Sequence, residues 1–460
     1  MGSVRFWGAL LTLCFLGCQG EERAELPQVE LGERLPGGET TNTRLLGANA
    51  FLMPAANLNI EDEIAFYGGN GFFNQGWVEA PASTNARDGL GPLFNARSCS
   101  GCHFKDGKGE PPEEGDEFFV GLLLRLKQWT GETLVDDPVY GGQLQDQSIS
   151  SVPREARAHV MWSRVSGMYG DGSEYELRRP TFTLNDFNYG EPEGHLVLSP
   201  RIAPHMIGLG LLEAIPESDL VSLSDPADED GDGISGRISW VATPQGDRVG
   251  RFGWRAEVPT VRDQVAEAFA GDMGLTSSSI TQDTCTDPQT ECLESTSGGE
   301  PEVSDHIFGR VVIYSKTIAV PVRRTPDDPK VLKGKQLFNR AQCSRCHTPS
   351  YVTGASDIEA LSGQLIWPYT DLLLHDMGPD LADENAGPDE IHQEWRTAPL
   401  WGVGLTEAVS GFAGFLHDGR ARTLEEAILW HGGEAEMARD TFKAFSRAER
   451  EALIAFIADL

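Results

Sequence analysis

Cys99-Ser100-Gly101-Cys102-His103 and Cys343-Ser344-Arg345-Cys346-His347 are two copies of one pattern, Cys-x-x-Cys-His. The spacing is that of a c-type haem attachment site. In such a site the two sulfurs form thioethers with the porphyrin vinyl groups, and the histidine becomes the proximal iron ligand. In a chain with ten histidines one copy is compatible with chance. Two copies point to a pair of haems and to electron movement between them. Cys99, Cys102, Cys343 and Cys346 are read as attachment residues, and His103 and His347 as iron ligands.

Working outward, the second motif sits in a cleanly helical context. Val331–Phe338 reads as a helix leading into it. Thr423 with Glu426 and Ser446 with Glu449 are capping signals for helices over 424–430 and 448–460. Leu453, Phe456, Ile457 and Leu460 share one face of the last helix. Around the first motif the pattern is looser. A short helix is expected over 57–66 and a packed loop over 66–77. Extended segments are expected near 118–129, 174–184 and 195–198. Helices are expected over 207–214, 261–269 and 307–319. The fold expected is mainly α, with two cytochrome c-like haem domains, the first elaborated with long loops and short strands. The divisions expected are a leader over 1–18, a flexible tether over 19–45, the first haem domain over 46–325 and the second over 326–460. Residues 321–329 read as a linker.

Composition narrows the class. The 460 residues are enough for two or three domains. A net charge of -33 with no long basic stretch argues against a nucleic-acid partner, which needs clustered Lys and Arg. The acidity reads as a solvated surface that also suits a basic electron-transfer partner. Arg5, the apolar run Phe6–Leu16 and Gly17-Cys18 form a secretory leader, too short for a membrane span. Phe15-Leu16-Gly17-Cys18 looks like a lipobox, so lipidation of Cys18 is expected to anchor the chain; an ordinary signal peptide is the alternative. Both readings place the mature chain in the periplasm or cell envelope. Of eight cysteines, Cys285 and Cys292 alone lie outside the leader and the motifs. In an exported chain they are expected to pair as a disulfide.

The sixth ligand decides what each haem does: a strong one suits electron transfer, an open position suits catalysis. For the first haem the candidates on that side are Gln143, Gln147, His159, His195, His205, Met206 and Glu213. Peroxide cleavage needs a group that moves a proton between the two oxygens. Glu213, in an apolar run, fits that need if burial raises its pKa; a salt-bridged structural glutamate is the alternative. Gln143, His205 and Glu213 are the candidate catalytic residues. For the second haem, His375, Met377, His392, His417, His431 and Met437 are available. His431 is favoured, because it follows a capped helix and precedes two glycines. Arg420 or Arg422 would meet a haem propionate, and Trp254 lies between the motifs as a candidate bridge. Asp228, Asp230 and Asp232 alternate like the start of a calcium loop, but the twelfth position is Ser239 rather than Glu. Calcium and a solvated acidic turn both remain open.

Longer stretches carry a resemblance. They include Pro204–Pro216, Ile234-Ser235-Gly236-Arg237, Phe269–Thr276, Val320–Arg324, Pro368–Gly378, Glu394–Gly402, and His417-Asp418-Gly419-Arg420 through His431-Gly432-Gly433. With them the chain resembles the bacterial di-haem oxidoreductases sometimes labelled thiol-oxidoreductase-like. These are related to the di-haem cytochrome c peroxidases and to the maturation enzyme MauG. In the peroxidases a methionine ligates the electron-receiving haem near the position of His431, and in MauG a tyrosine does. Histidine here is a departure, and a pair of imidazoles lowers the potential relative to His/Met. The resemblance implies two covalent haem c groups and a redox enzyme. Its reaction would be reduction of hydrogen peroxide or another small oxidant, or formation of high-valent iron, at the first haem, with electrons routed through the second. The partners implied are a periplasmic electron donor or acceptor protein and an organic or protein substrate. A non-catalytic electron-transfer cytochrome is the competing expectation.

Overall fold

Asp328 and Pro329 start the helix Pro329–Arg340. The Asp328 carboxylate accepts from the Lys330 amide, and proline at the first position lacks the N–H that a helix start leaves unpaired. At the far end of the chain Ser446 and Glu449 form the expected capping box and open the helix Arg447–Asp459. Leu453, Phe456, Ile457 and Leu460 are all buried. They pack with Leu337, Phe338, Tyr369 and Phe442 into one hydrophobic core. The two helices touch at Gly334, where a Cβ would run into the Ala452 carbonyl oxygen.

The first motif is approached by the same device. The helix Ile60–Asn74, capped by the Asn59 side chain, packs on the helix Asp305–Thr317. Gly69 sits at the contact, where a Cβ would collide with the Arg310 carbonyl oxygen. This corrects the expected loop over 66–77. Gly68, Gly69, Gly71 and Asn74 have poor helix propensity, but Phe66 and Phe73 both pack on Tyr314, and tertiary packing overrides propensity.

The structure is a computed structural model that describes residues 1–2, 26–84, 86–130, 133–192, 194–383 and 390–460. The expected leader, with Cys14 and Cys18, and the first part of the expected tether lie outside the described residues. Helix outweighs strand, and the strand pairs form several small antiparallel sheets. The longer strands all lie between the two motifs. Leu122–Trp129 pairs with His195–Ile202, and Leu122, Leu124 and Leu126 face inward with period two. Arg157–Met168 and Glu174–Asn185 form a separate hairpin. No described helix is long and apolar enough to cross a membrane.

Two readings from composition are corrected. Residues 26–45 are not a loose tether. Glu33 is buried, and its carboxylate pairs with Arg323 and, at 2.8 Å, with Lys335. Nor is 321–329 a loose linker, because the buried Arg323 also binds Asp459 at 3.0 Å. Burial alone would raise the Glu33 pKa, but the Lys335 hydrogen bond and the nearby Arg323 bring it below the ordinary value. One buried ion cluster thus ties the N-terminal segment to the last helix. The expected disulfide between Cys285 and Cys292 is present. Its loop is held down by Gln289, whose side-chain amide donates to Glu155 at 2.6 Å.

Candidate functional site

Both motifs open onto one cavity of about 590 Å³. Cys99, Cys102 and His103 line it, as do Cys343, Cys346, His347 and His431. In each motif the histidine amide bonds back to the first cysteine carbonyl at 2.9 Å, so a single tight turn presents both sulfurs and the ring to the same space. No disulfide engages the four motif cysteines, and all four line the cavity.

Three imidazoles are fixed in the form that ligates metal. The Nδ1 atoms of His103, His347 and His431 lie 2.8, 3.0 and 2.7 Å from the carbonyl oxygens of Pro204, Tyr369 and Ala427. A carbonyl only accepts, so each Nδ1 carries the proton and each Nε2 keeps its lone pair. Burial pushes His103 and His347 down to about 4 and lowers His431 as well, which keeps all three neutral. His347 and His431 are close enough for the second ring to help depress the first.

Three buried cations line the same cavity: Lys108, Arg251 and Arg396. Burial pushes Arg251 and Arg396 down to about 10. Their guanidinium groups donate to backbone carbonyls, Leu212 for Arg251 and Gly253 and Thr397 for Arg396. Among the described residues none of the three has a carboxylate in ion-pair contact. Buried cations without counter-charge are costly, so an anionic guest fits here. The Ser315 hydroxyl also lines the cavity without a partner. Two Cys-x-x-Cys pairs, three Nε2 lone pairs and the Arg251 and Arg396 guanidinium groups fit two haem c groups with their propionates.

The sequence-predicted residues separate into those the cavity gathers and those it leaves out. Glu213 lies off the lining. Its carboxylate pairs with Lys316 at 2.7 Å and accepts the Val261 amide at 2.6 Å, so it caps the helix Val261–Met273. Gln143 is also off the lining, and donates to Asn95, to the Gly271 carbonyl and to Asp272 at 2.8, 3.0 and 3.0 Å. Neither residue is placed to handle a proton in the cavity, which corrects both expectations. His205 does line it. The Thr406 hydroxyl donates to the Val403 carbonyl at 2.7 Å, so the His205 Nε2–H donates to that hydroxyl at 3.1 Å. Arg420 is committed to Asp418 at 2.7 Å and to the Asp380 carbonyl at 2.6 Å, off the lining. Arg422 pairs with Glu426. Arg251 and Arg396, rather than Arg420 or Arg422, line the cavity. Trp254 lines the cavity, and its Nε1–H donates to the Ile202 carbonyl at 2.8 Å.

Besides the buried cations, the sequence reading missed residues on one helix. Val261–Met273 presents Gln264, Glu267 and Asp272 to the cavity. The Asp272 carbonyl accepts the Asn95 and Ala96 amides just before the first motif. Burial raises Asp272, against the Gln143 hydrogen bond, and raises Glu267, against Arg125. No hydrogen bond or ion pair engages Glu267 among the described residues. The polar residues on one side of this expected helix were the available signal.

The aspartate turn is rearranged from the expected calcium set. The clustered carboxylates are Asp225, Asp228 and Asp230, within 4.8 Å of one another. Asp232 instead pairs with Arg345, inside the second motif, at 2.7 Å. The Asp230 and Gly233 amides already donate to Asp225 and Asp228, so the turn spends its carboxylates on its own backbone.

Beside the second motif, His375 is held between Asp371 at 2.8 Å and Glu434 at 2.7 Å. Burial opposes its charge, but Asp371 more than compensates, and the imidazole pKa stands well above the ordinary value. A raised cationic pKa contributes stability that is whole below the unfolded value of about 6.5 and is lost as pH climbs through the folded value. Urea unfolding of the protein and of His375→Gln should therefore show the widest stability gap near pH 6. The gap should narrow steadily above neutrality, and a gap that does not change with pH would mean a neutral ring.

The chain matches the family described as "Di-haem oxidoreductase, putative peroxidase" over residues 33–122 and 142–460. No curated protein matches it. Among solved structures it is similar to a Kuenenia stuttgartiensis hydrazine synthase pressurised with 20 bar xenon. That likeness is 11% identity over 100% of both chains with a TM-score of 0.34, too low to carry an argument about fold or activity. Matched over both motifs, both approach helices and the cavity between them, the chain belongs to the di-haem oxidoreductase family.

Proposed function

We propose that this chain is an exported di-haem c-type enzyme that reduces hydrogen peroxide or a similar small oxidant at the first motif, with electrons received at the second. The observation that carries the reading is the asymmetry of the shared cavity. At the second motif two imidazoles, His347 and His431, each offer a free Nε2. At the first motif His103 offers one, His205 has its Nε2 tied to Thr406, and the unengaged carboxyl of Glu267 shares the space.

When bound, the haems supply electron storage and cleavage of a peroxide bond. His103 and His347 would hold the irons, and His431 would close the second site. Arg251 and Arg396 would bind propionates. Glu267 would accept the proton from the near peroxide oxygen and return it to the leaving one. Each motif, with its approach helix, would form a cytochrome c-like module, over 46–325 and 326–460. The leader pattern and the disulfide support export to the periplasm or cell envelope, with Cys18 as a lipid anchor. The acidic surface suits a basic redox partner.

Optical and electron paramagnetic resonance spectra of the oxidised and half-reduced holoprotein, with and without peroxide, test the reading. One low-spin and one labile, peroxide-reactive haem are expected, and His431→Ala should abolish the low-spin signal. Two low-spin haems inert to peroxide would make the protein an electron carrier instead. An unchanged His431→Ala spectrum would remove that residue as ligand.

A further inference from the structure

Lys108 is buried, and its ammonium sits over two aromatic faces, 5.4 Å from the Trp254 ring centre and 5.7 Å from that of Phe415. Two of its protons go to the carbonyls of Gly414 and Leu416, at 2.7 and 3.2 Å. These are neutral acceptors, and the Asp418 carboxylate, whose charge reaches Lys108, is already bound to Arg420. The charge of Lys108 is therefore felt by Trp254. The indole N–H of Trp254 donates to the Ile202 carbonyl, which is no base, so an oxidised Trp254 cannot shed its proton there.

The pattern recurs along the same aromatic column. His417 packs edge-on to Trp254 at 6.4 Å and stacks on Trp395 at 3.6 Å. Trp395 lies under the guanidinium groups of Arg201 and Arg255, at 4.5 and 4.7 Å, and donates its own N–H to the Leu381 carbonyl at 2.9 Å. Trp254 and Trp395, two of the tryptophans on the cavity, thus face cations and donate to carbonyls that cannot take a proton.

We propose that Lys108 is a positioning charge that keeps Trp254 reduced, so that oxidising equivalents stay in the cavity instead of spreading into the protein as tryptophan radicals. The inference rests on the di-haem reading. The disfavoured step is a one-electron oxidation. An electron leaves the Trp254 π system for a haem oxidised by peroxide, the indole becomes a radical cation, and the oxidant is reduced by one electron. No bond breaks, and the proton remains on Nε1. A unit charge about 5 Å away opposes that step by roughly a hundredfold in its equilibrium at an effective dielectric near 20. Electron transfer across Trp254 by tunnelling leaves the indole reduced and is not opposed in this way.

The test compares holoprotein, K108M and K108R, each with and without W254F, near pH 6, below the value of about 7 to which burial pushes Lys108. Tryptophan radical is trapped by freezing and counted by electron paramagnetic resonance. It is generated in one arm by hydrogen peroxide and in the other by photo-oxidised tris(bipyridine)ruthenium. The part of the signal that W254F removes should rise at least about tenfold in K108M and stay at the wild-type level in K108R. K108Q gives the same readout if K108M does not accumulate. Equal signals in wild type and K108M would overturn the proposal, and so would an equal rise in K108R, which would assign the effect to packing. If peroxide leaves the haem spectra unchanged, the peroxidase reading fails, while the ruthenium arm still decides the role of Lys108.

Discussion

Glu267→Gln is expected to slow peroxide turnover by about 10²–10⁴-fold with both haem spectra intact, the range that removal of a general acid–base costs. Glutamine keeps the size and the hydrogen-bonding oxygen but cannot carry the proton. Glu267 is chosen over the other carboxylates because of how each is engaged. Asp272 is hydrogen-bonded by Gln143, and its backbone carbonyl accepts the Asn95 and Ala96 amides. Glu257 accepts the Arg255 amide at 3.1 Å. Glu267 alone of the three is unengaged among the described residues; its side chain is accessible, and partial desolvation raises its pKa against the pull of Arg125. Glu213→Gln is the control. It should lose stability through Lys316 and the helix start, and leave turnover within about threefold. If steady-state assays show Glu267→Gln turning over normally, the proton is handled elsewhere, and Asp272→Asn becomes the next variant to assay.

This contrast shows what was legible in the sequence. The two motifs, the helix caps at Asp328 and Ser446 and the disulfide are local or covalent facts, and each follows from residues a few positions apart. Glu213 was singled out because its neighbours are apolar, but neighbours in sequence do not say which face a carboxylate takes, and Lys316 claims it from another helix. Lys108, Arg251 and Arg396 drew no reading from the sequence, since burial of a charge is decided only by tertiary packing. The glycines of 68–71 read as a loop because propensity is local, whereas the close helix contact that requires Gly69 is not. The family resemblance, carried mostly by stretches around the cavity, is matched by the family comparison, while Glu213 and Gln143 lie off the cavity.

Arg323→Ala is expected to cost about 3–5 kcal/mol, the penalty for removing one member of a buried ion cluster and leaving its partners uncompensated. Arg323 and Glu33 have side chains that are 1% exposed, and Asp459 is 4% exposed. Without Arg323, Glu33 retains Lys335 and the Tyr369 hydroxyl at 3.0 Å, and Asp459 retains the Thr325 amide at 2.6 Å. Those contacts hold the loss to this range. Urea denaturation at neutral pH measures it. Adding Glu33→Gln and Asp459→Asn should recover part of the stability, because the stranded charges are then gone. A loss below about 1 kcal/mol would show that water reaches the cluster.

In the same cluster Glu30 and Glu33 bind Lys335 on the helix that leads into the second motif, and the Pro36 carbonyl accepts the Trp367 amide at 2.8 Å. The chain therefore joins the body on the flank of the second motif. The N-terminal segment and the helix that leads into the second motif are thereby held as one unit, so loosening the cluster would loosen both.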